Sequence, residues 1–210
     1  VFDLKKNDEV ITVANSDIPT SHAITLNGAK IKWVDVEEGS FNINPEEVEK
    51  KINKNTKIII PVHLFGVPAN MNAIIKIAKK NNVKIIEDAC LATGSSFGNK
   101  KIGSIGDITV FSTNPGKVLD GIGHGGIITT NSKKYYLKLK QLRDYGRKQR
   151  PGKWPIKSQM IGYNSKLSTI DAAILNIRLK KLNWYIKKRN LHANLYRKLL
   201  QSKFIKFQLP

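Results

Sequence analysis

Short apolar runs alternate with amphipathic stretches over roughly the first 130 residues of the chain. The runs are rich in β-branched residues and are bounded by Gly, Asn, Pro or charged residues, as buried strands usually are. They lie at residues 9–14, 30–36, 57–62, 83–88, 108–112 and 126–130. Because helical stretches separate the early runs, the pattern predicts an α/β protein whose mostly parallel sheet is covered by helices on both faces.

Helix boundaries are indicated by capping residues. Asn44 precedes a proline and two glutamates, which is the arrangement of an N-cap followed by a proline and acids in the first turn. Asn70 predicts the start of a further helix that extends to about residue 81. A shorter helix begins near Thr20 and ends at Gly28. The expected apolar face of the helix after Asn70 consists of Met71, Ile74, Ile75 and Ala78.

After about residue 132 the pattern changes to helix, loop and helix. Ser168 and Asp171 have the spacing of a capping box, which predicts the start of a long, basic helical segment that ends near Leu200. Residues 106–210 carry 22 basic and 4 acidic residues, whereas residues 1–105 carry 14 lysines and 12 acidic residues. A basic half attracts polyanions, which include nucleic acids, membrane surfaces and diphosphate substrates.

The overall composition is that of an ordinary globular protein. The 210 residues are 40% hydrophobic and 25% charged, which suffices to bury a core. No apolar run is long enough to span a bilayer and no signal-peptide pattern is present, so we expect no membrane partner. The single cysteine, Cys90, suits a reducing compartment and predicts a cytoplasmic protein. The net charge of +20 includes 30 lysines, an excess that a genome rich in A and T can also produce.

Two charged residues follow strands at the edge where open α/β sheets collect functional groups. Asp88 ends the fourth predicted strand, and Lys117 lies in the loop after the fifth. A lysine in this place can form a Schiff base, an aspartate can hold a protonated ring nitrogen, and Ser112 can bind a phosphate. Each is weak evidence alone, because one lysine among 30 is usually a solvated surface group.

Other motifs point away from competing chemistries. The sequence from Gly121 to Gly126 contains G-x-G-x-x-G, but a dinucleotide-binding motif must open a helix, and here a strand follows. We expect these glycines to allow close backbone approach to a ligand or a neighbouring subunit. The four histidines have no metal-site spacing, so no metal is expected. His63 is predicted to be a structural turn residue, and Cys90 a small packed residue beside Asp88.

Several short motifs occur in a fixed order along the chain. They are E-D-A-C at 87–90, G-S-I-G-D at 103–107, F-S at 111–112, P-G-K at 115–117, G-H-G-G at 123–126 and G-Y-N-S at 162–165. The ordered set resembles the DegT/DnrJ group of sugar aminotransferases that depend on pyridoxal 5'-phosphate (PLP). The resemblance implies the three-layer large domain of PLP fold type I, incomplete over residues 1–210, with 133–210 as its helical, basic C-terminal part.

The same resemblance implies roles for four residues. Lys117 matches the lysine that binds PLP as a Schiff base and moves protons as a general base and acid. Asp88 matches the aspartate that pairs with the ring nitrogen. Ser112 matches a serine on the cofactor phosphate. Asn164 matches an asparagine that reaches the phosphate in the partner subunit's site, which implies a homodimer.

The implied reaction transfers an amino group, with glutamate as the expected donor, to a keto-sugar carried on a nucleotide diphosphate. A lysine at position 117, where some relatives have a histidine and catalyse deoxygenation, favours amino transfer. Arg143 or Arg147 could contact the diphosphate, although a solvated helix face is the more ordinary role for such residues.

Some features depart from the family pattern. Asp17 stands where relatives usually have an aromatic residue stacked on PLP, Leu91 where many have a glutamine, and His124 where an acidic residue is common. Relatives also begin earlier, with a phosphate-binding helix start, and continue into a small C-terminal domain. The chain is therefore expected to be a fragment.

Two alternatives remain open at this point. One is a PLP-binding sugar dehydratase or regulatory homologue without transaminase activity. The other is a basic nucleic-acid-binding module, which the charge favours but which no helix-turn-helix, zinc or RNA-binding motif supports.

Overall fold

Six strands form one sheet in a computed structural model, which describes residues 1–148 and 157–200. The strands of this sheet are β1 (Glu9–Val13), β2 (Lys30–Val34), β3 (Thr56–Ile59), β4 (Lys84–Asp88), β7 (Ile108–Ser112) and β8 (Gly126–Thr129). Between β4 and β7 the chain forms a separate hairpin of β5 (Ser96–Phe97) and β6 (Lys100–Lys101). The order in the sheet is β2-β1-β3-β4-β7-β8. Only β8 pairs antiparallel within these six, so the predicted mostly parallel α/β sheet is confirmed.

The described helices are α1 (Ile18–Leu26), α2 (Pro45–Lys51), α3 (Met71–Lys80), α4 (Lys133–Arg143), α5 (Thr169–Leu179) and α6 (Leu182–Leu199), with a short 3₁₀ turn at Leu64–Gly66. Asn44 and Asn70 cap α2 and α3 as predicted, each through a side-chain oxygen that accepts a backbone N–H. Gly28 follows α1 with φ +73°, a conformation that glycine adopts readily. None of the described helices is long and apolar enough to cross a membrane.

The basic helical segment predicted from Ser168 to about Leu200 is divided into two helices, α5 and α6. The amide of Lys181 donates to the carbonyl of Arg178, three residues back, so the last turn of α5 tightens and the helix ends. Helix α6 then starts at Leu182. The basic stretch from 133 to 206 lies partly outside the described residues, at 149–156 and 201–206.

The sheet is buried on both faces, because successive residues of a strand point to opposite sides. One face carries Ile11 and Ile59 and packs against α2 and α3. The opposite face carries Val10 and Ile58 and packs against Ile24 of α1. The predicted three-layer arrangement of helix, sheet and helix is therefore confirmed.

The apolar face of α3 differs by one residue from the predicted face. Ile77 is buried, whereas Ile75 is half-buried at the margin of the core. A helix turns by about 100° per residue, so three residues complete nearly a full turn. Ile77 therefore lies about 60° from the fully buried Ile74, whereas the adjacent Ile75 lies about 100° away from it.

We predict that Ile74→Ala lowers the free energy of unfolding by about 3 kcal/mol, because truncation of this residue leaves a cavity between α3 and the sheet. Ile75→Ala is the matched control and should cost about a third as much, since its side chain is only half-buried. Urea denaturation of both variants measures the difference. Equal losses would contradict the described orientation of α3.

Candidate active site

Three of the four predicted site residues lie at the carboxyl edge of the sheet. Asp88 is the last residue of β4 and pairs with Val110, Ser112 ends β7, and Lys117 lies in the following loop. Burial and the nearby Asp88 carboxylate raise the pKa of the Cys90 thiol to about 12, and the Lys117 ammonium acts in the opposite direction. The charges of Asp88 and Lys117 therefore both act on the Cys90 thiol.

Cys90 has the packed position that the sequence predicted. Its amide donates to Oδ1 of Asp88 at 3.2 Å, and its Sγ lies 3.9 Å from the carbonyl oxygen of Val110. With a pKa near 12 the thiol stays protonated at neutral pH, which is unsuited to a nucleophile.

The Asp88 carboxylate keeps acceptor capacity for a ligand. Thr20 Oγ1 donates to Oδ2 at 2.7 Å, and Oδ1 accepts the Cys90 amide at 3.2 Å, so each oxygen accepts a hydrogen bond and retains a further lone pair. Within residues 1–148 and 157–200, no lysine or arginine forms an ion pair with this carboxylate. An acceptor of this kind fits the protonated ring nitrogen of PLP.

The loop that carries Lys117 closes on itself. The amide of Thr113 donates to the carbonyl of Gly125 at 2.9 Å, and the amide of Gly121 donates to the carbonyl of Thr113 at 2.7 Å. Gly116, with φ +90°, provides the left-handed backbone immediately before Lys117. The Lys117 side chain is half-buried, and it forms no ion pair with a carboxylate in the described part of the chain.

Ser112 is available as a donor at the start of this loop. Its Oγ accepts the amide of Asn114 at 3.3 Å, and among the residues that the structure describes no acceptor takes the hydroxyl hydrogen, which can therefore reach a phosphate oxygen. By chemical type, the Ser112 hydroxyl, the Lys117 amine and the Asp88 carboxylate therefore fit the phosphate, the aldehyde carbon and the protonated ring nitrogen of PLP. No cluster of three or more metal-ligand side chains occurs in the part of the chain that the structure describes.

Asp171, at the start of α5, anchors the glycine-rich part of the loop. Its Oδ1 accepts the amides of Ile122 and Gly123 at 3.0 and 3.1 Å. A Cβ at Gly121 or Gly123 would lie 2.9 or 3.0 Å from an Asp171 oxygen. These two glycines therefore make room for the chain's own helix α5, and the approach of the segment to a ligand or a neighbouring subunit stays a prediction.

The capping box at the start of α5 is also altered by this contact. Ser168 Oγ accepts the Asp171 amide as predicted, but the Asp171 carboxylate binds the loop instead of the N-cap amide. The Ser168 hydroxyl and the two loop amides outweigh burial and lower the pKa of Asp171. Arg178 of α5 also forms an ion pair with Asp120 of the same loop.

A buried polar pair beside Asp88 was not predicted from the sequence. The side chains of Glu87 and His63 are both fully buried, and His63 Nε2 lies 3.0 Å from Glu87 Oε2. Glu87 Oε1 accepts the Thr109 hydroxyl and the Gly106 amide, both at 2.7 Å. A glutamate inside an apolar strand is the signal that could have revealed this pair, because buried carboxylates need partners.

The hydrogen bonds fix the tautomer of His63. Its Nδ1 accepts the amide of Ala69 at 3.1 Å, so Nε2 carries the hydrogen and donates to Glu87. Burial alone would raise the pKa of Glu87, but hydrogen bonds from His63, Thr109 and Gly106 together hold the pKa below its ordinary value. His63 is a structural turn residue as predicted, and its amide also donates to the carbonyl of Asp88.

Asn164 is not joined to the other predicted site residues by a hydrogen bond. Its backbone bridges Asp144, just after α4, and its side chain is exposed. The neighbouring amides of Tyr163 and Ser165 donate to carbonyls at the end of α4, at 2.7 and 3.0 Å. Asn164 therefore lies on an exposed segment that is hydrogen-bonded to the end of α4.

The three departures from the family pattern have different surroundings. Asp17 is the N-cap of α1, and its Oδ1 accepts the amide of Ile18 at 2.8 Å. An aromatic side chain could not form this cap, so the presence of an aspartate at position 17 is explained by its role at the start of α1. Leu91 is half-buried and His124 is exposed.

The sequence model of the DegT/DnrJ/EryC1/StrS aminotransferase family matches residues 1–209. The chain is 38% identical over 195 residues to a Geobacillus stearothermophilus protein named "Pleiotropic regulatory protein", covering 93% of the chain and 51% of that protein. It is also 38% identical over 204 residues to the dTDP-3-amino-3,6-dideoxy-alpha-D-galactopyranose transaminase of Aneurinibacillus thermoaerophilus, covering 97% and 55%. The chain thus spans about half the length of these curated relatives.

A solved structure shows the same fold. Superposition on NtdA from Bacillus subtilis, whose crystal structure is described as containing the bound cofactor PMP, gives a TM-score of 0.84 at 34% identity. The match covers 94% of this chain and 44% of that chain.

We predict that Glu87→Gln lowers the free energy of unfolding at pH 7 by about 3 kcal/mol, because a buried charged hydrogen-bond network loses its acceptor. The single amide oxygen of glutamine can accept from His63 Nε2 or from the Gly106 amide, but not from both, so its NH2 group faces another donor. Denaturant unfolding of the purified protein measures the loss, and Glu46→Gln, on the exposed face of α2, is the control.

The loss should depend on pH in one direction. Because the pKa of Glu87 is lowered in the folded protein, its contribution is complete above the ordinary value of 4.5 and fades as the pH falls below that value. The difference between wild type and Glu87→Gln should therefore shrink in acid. A difference that stays constant down to pH 3 would contradict an ionised Glu87.

Proposed function

The chain belongs to the DegT/DnrJ/EryC1/StrS aminotransferase family, and from this premise we propose that it binds PLP and transfers an amino group to a nucleotide-linked keto-sugar. The observation that carries the proposal is the placement of Asp88 and Lys117 at one sheet edge, where both act on the Cys90 thiol. Glutamate is the proposed amino donor. We further propose that residues 1–210 belong to the large domain of a cytoplasmic enzyme.

Each residue of the site has a distinct task in this proposal. PLP, when bound, supplies an electron sink for the negative charge that develops at the reacting carbon. Asp88 would accept a hydrogen bond from the ring nitrogen and would keep that nitrogen protonated. Ser112 would donate to a phosphate oxygen. Lys117 Nζ would hold the cofactor covalently until the amine of the amino donor displaces it, and the freed lysine would then carry a proton to and from carbon.

The substrate class is proposed from the relatives and from charge. One relative is named as a dTDP-sugar transaminase, which suggests a nucleotide diphosphate sugar for this chain. Residues 106–210 carry 22 basic and 4 acidic residues, and this positive charge attracts a diphosphate. We favour this polyanion over a nucleic acid because the family is one of aminotransferases and the sequence has no nucleic-acid-binding motif.

A regulatory role is the second candidate, since another relative is named "Pleiotropic regulatory protein". A protein of this kind could bind PLP at Lys117 without turning over an amino donor. Single-turnover release of 2-oxoglutarate from glutamate distinguishes the two candidates. Cofactor bound at Lys117 with no release of 2-oxoglutarate would favour the regulatory role.

We predict that Lys117→Ala abolishes covalent attachment of PLP, because Lys117 is the single lysine in the loop between β7 and β8. Wild type should show a visible absorption band with PLP and, after borohydride reduction and peptide mapping, a pyridoxyl group on Lys117. Release of 2-oxoglutarate should fall on the order of a thousandfold in Lys117→Ala, as expected for loss of a general acid–base group.

Lys100→Ala is the matched control, since Lys100 is an exposed lysine of the β5–β6 hairpin. It should keep both the absorption band and the rate. A pyridoxyl group on another lysine in the wild type would contradict the proposal.

We also propose that the enzyme is a homodimer in which Asn164 contacts the cofactor phosphate of the partner's site. The support is the exposed position of Asn164 and its lack of a hydrogen bond to Asp88, Ser112 or Lys117. A single chain would then contain an incomplete site.

We predict that subunits carrying Lys117→Ala and subunits carrying Asn164→Ala, each inactive alone, regain activity when unfolded together and refolded as a mixture. Random pairing gives heterodimers in half of the molecules, each with one intact site, so about a quarter of wild-type activity should return. No recovery, with dimers present by light scattering, would place Asn164 in its own chain's site.

A further inference from the structure

Thr20 is the side chain that holds the Asp88 carboxylate, and this contact was not expected from the sequence. Thr20 Oγ1 lies 2.7 Å from Asp88 Oδ2, although 67 residues separate the two in the chain. Thr20 also lies 2.8 Å from the hydroxyl of Ser16, which immediately precedes the N-cap of α1. The three polar groups form a continuous chain from the exposed start of α1 to the sheet edge.

We propose that Thr20 is a positioning residue that orients the Asp88 carboxylate toward the ring nitrogen of PLP, supported by a hydrogen bond from Ser16. The proposal rests on the proposed PLP site. The proposal adds Thr20, a residue of α1, to the residues on which cofactor binding depends. Thr20 acts through Asp88 and not through contact with substrate.

The direction of the hydrogen bonds follows from the acceptor at the end of the chain. Thr20 Oγ1 donates to Asp88 Oδ2, so the Thr20 hydroxyl hydrogen points to the carboxylate. The lone pairs of Thr20 Oγ1 are then left to accept from Ser16 Oγ. Donors aligned in one direction polarise each other, which strengthens the bond that reaches Asp88.

Asp88 needs such support because the torsion that rotates a carboxylate group is broad. The Cys90 amide binds Oδ1 and Thr20 binds Oδ2, so the two oxygens are held from different directions and the plane of the carboxylate is defined. The amide belongs to the backbone, whereas Thr20 is a side chain on a separate helix. Thr20 is nine-tenths buried, so water does not readily replace it.

The charged groups around this carboxylate are few in the described part of the chain. Lys117 acts on the adjacent Cys90 thiol, and Cys90 itself is protonated. Asp17, next to Ser16, is engaged with the amide of Ile18 at the start of α1. Orientation by Thr20 is therefore not duplicated by an ion pair of Asp88.

The test uses Thr20→Val, which keeps the shape of the side chain and removes the hydroxyl, beside Thr20→Ser, which keeps the hydroxyl. The dissociation constants of two probes are measured by fluorescence: PLP, and its 1-deaza analogue in which CH replaces the ring nitrogen. Thr20→Val should weaken PLP binding by about tenfold, as loss of a hydrogen bond to a charged group does. It should leave binding of the deaza analogue unchanged, and Thr20→Ser should behave as wild type.

The outcomes separate positioning from simple structural support. Equal weakening of both probes would show that Thr20 only maintains the fold and would overturn the proposal, as would unchanged binding of PLP. If wild type binds neither probe, the proposed function fails, and the role of Thr20 fails with it.

A measurement without cofactor checks the contact itself. A double-mutant cycle of Thr20→Val and Asp88→Asn on the free energy of unfolding should give a coupling clearly different from zero. Zero coupling would overturn the proposal even if PLP binds, because Thr20 would then not act through Asp88. Thermal unfolding of each single variant verifies that the fold is retained.

Discussion

Burial of the Glu87 carboxylate is a constraint on which this half of the sheet depends. An ionised carboxylate away from water must find several donors, and Glu87 finds them in three segments: the turn after β3, the turn before β7 and β7 itself. Loss of any of these hydrogen bonds would lower the stability of the fold, so the carboxylate fixes the mutual positions of the three segments.

Glu87 and Asp88 are adjacent, and the alternation of a strand places them on opposite faces. The structural acid is thus fully buried and the proposed functional acid is presented at the edge, half-buried beside Thr20 and Cys90. His63 joins the two, because its ring binds Glu87 and its backbone amide binds the carbonyl of Asp88. A rigid acid in the interior therefore supports the strand end on which the site depends.

The loop with Lys117 is held in a comparable way by α5. Asp171 and Arg178 of that helix bind the loop through amides and through Asp120. Glycines at 121 and 123 are needed because a Cβ would meet the Asp171 carboxylate. The position of Lys117 is thus linked to a helix more than 50 residues later, and the basic C-terminal half of the described chain contributes to the fold of the site as well as to its charge.

The sequence by itself determined the alternation of strands and helices, the caps at Asn44 and Asn70, and the placement of Asp88 and Lys117 at strand ends. These features depend on local periodicity and capping chemistry, which neighbouring residues carry. The motif order also identified the family. Only the tertiary structure decided the partners of Glu87, the loop contact of Asp171 and the hydrogen bond from Thr20 to Asp88. Each of those joins residues far apart in the chain, and hydrogen-bond partners are chosen by distance and direction in the folded protein, which local pattern does not encode.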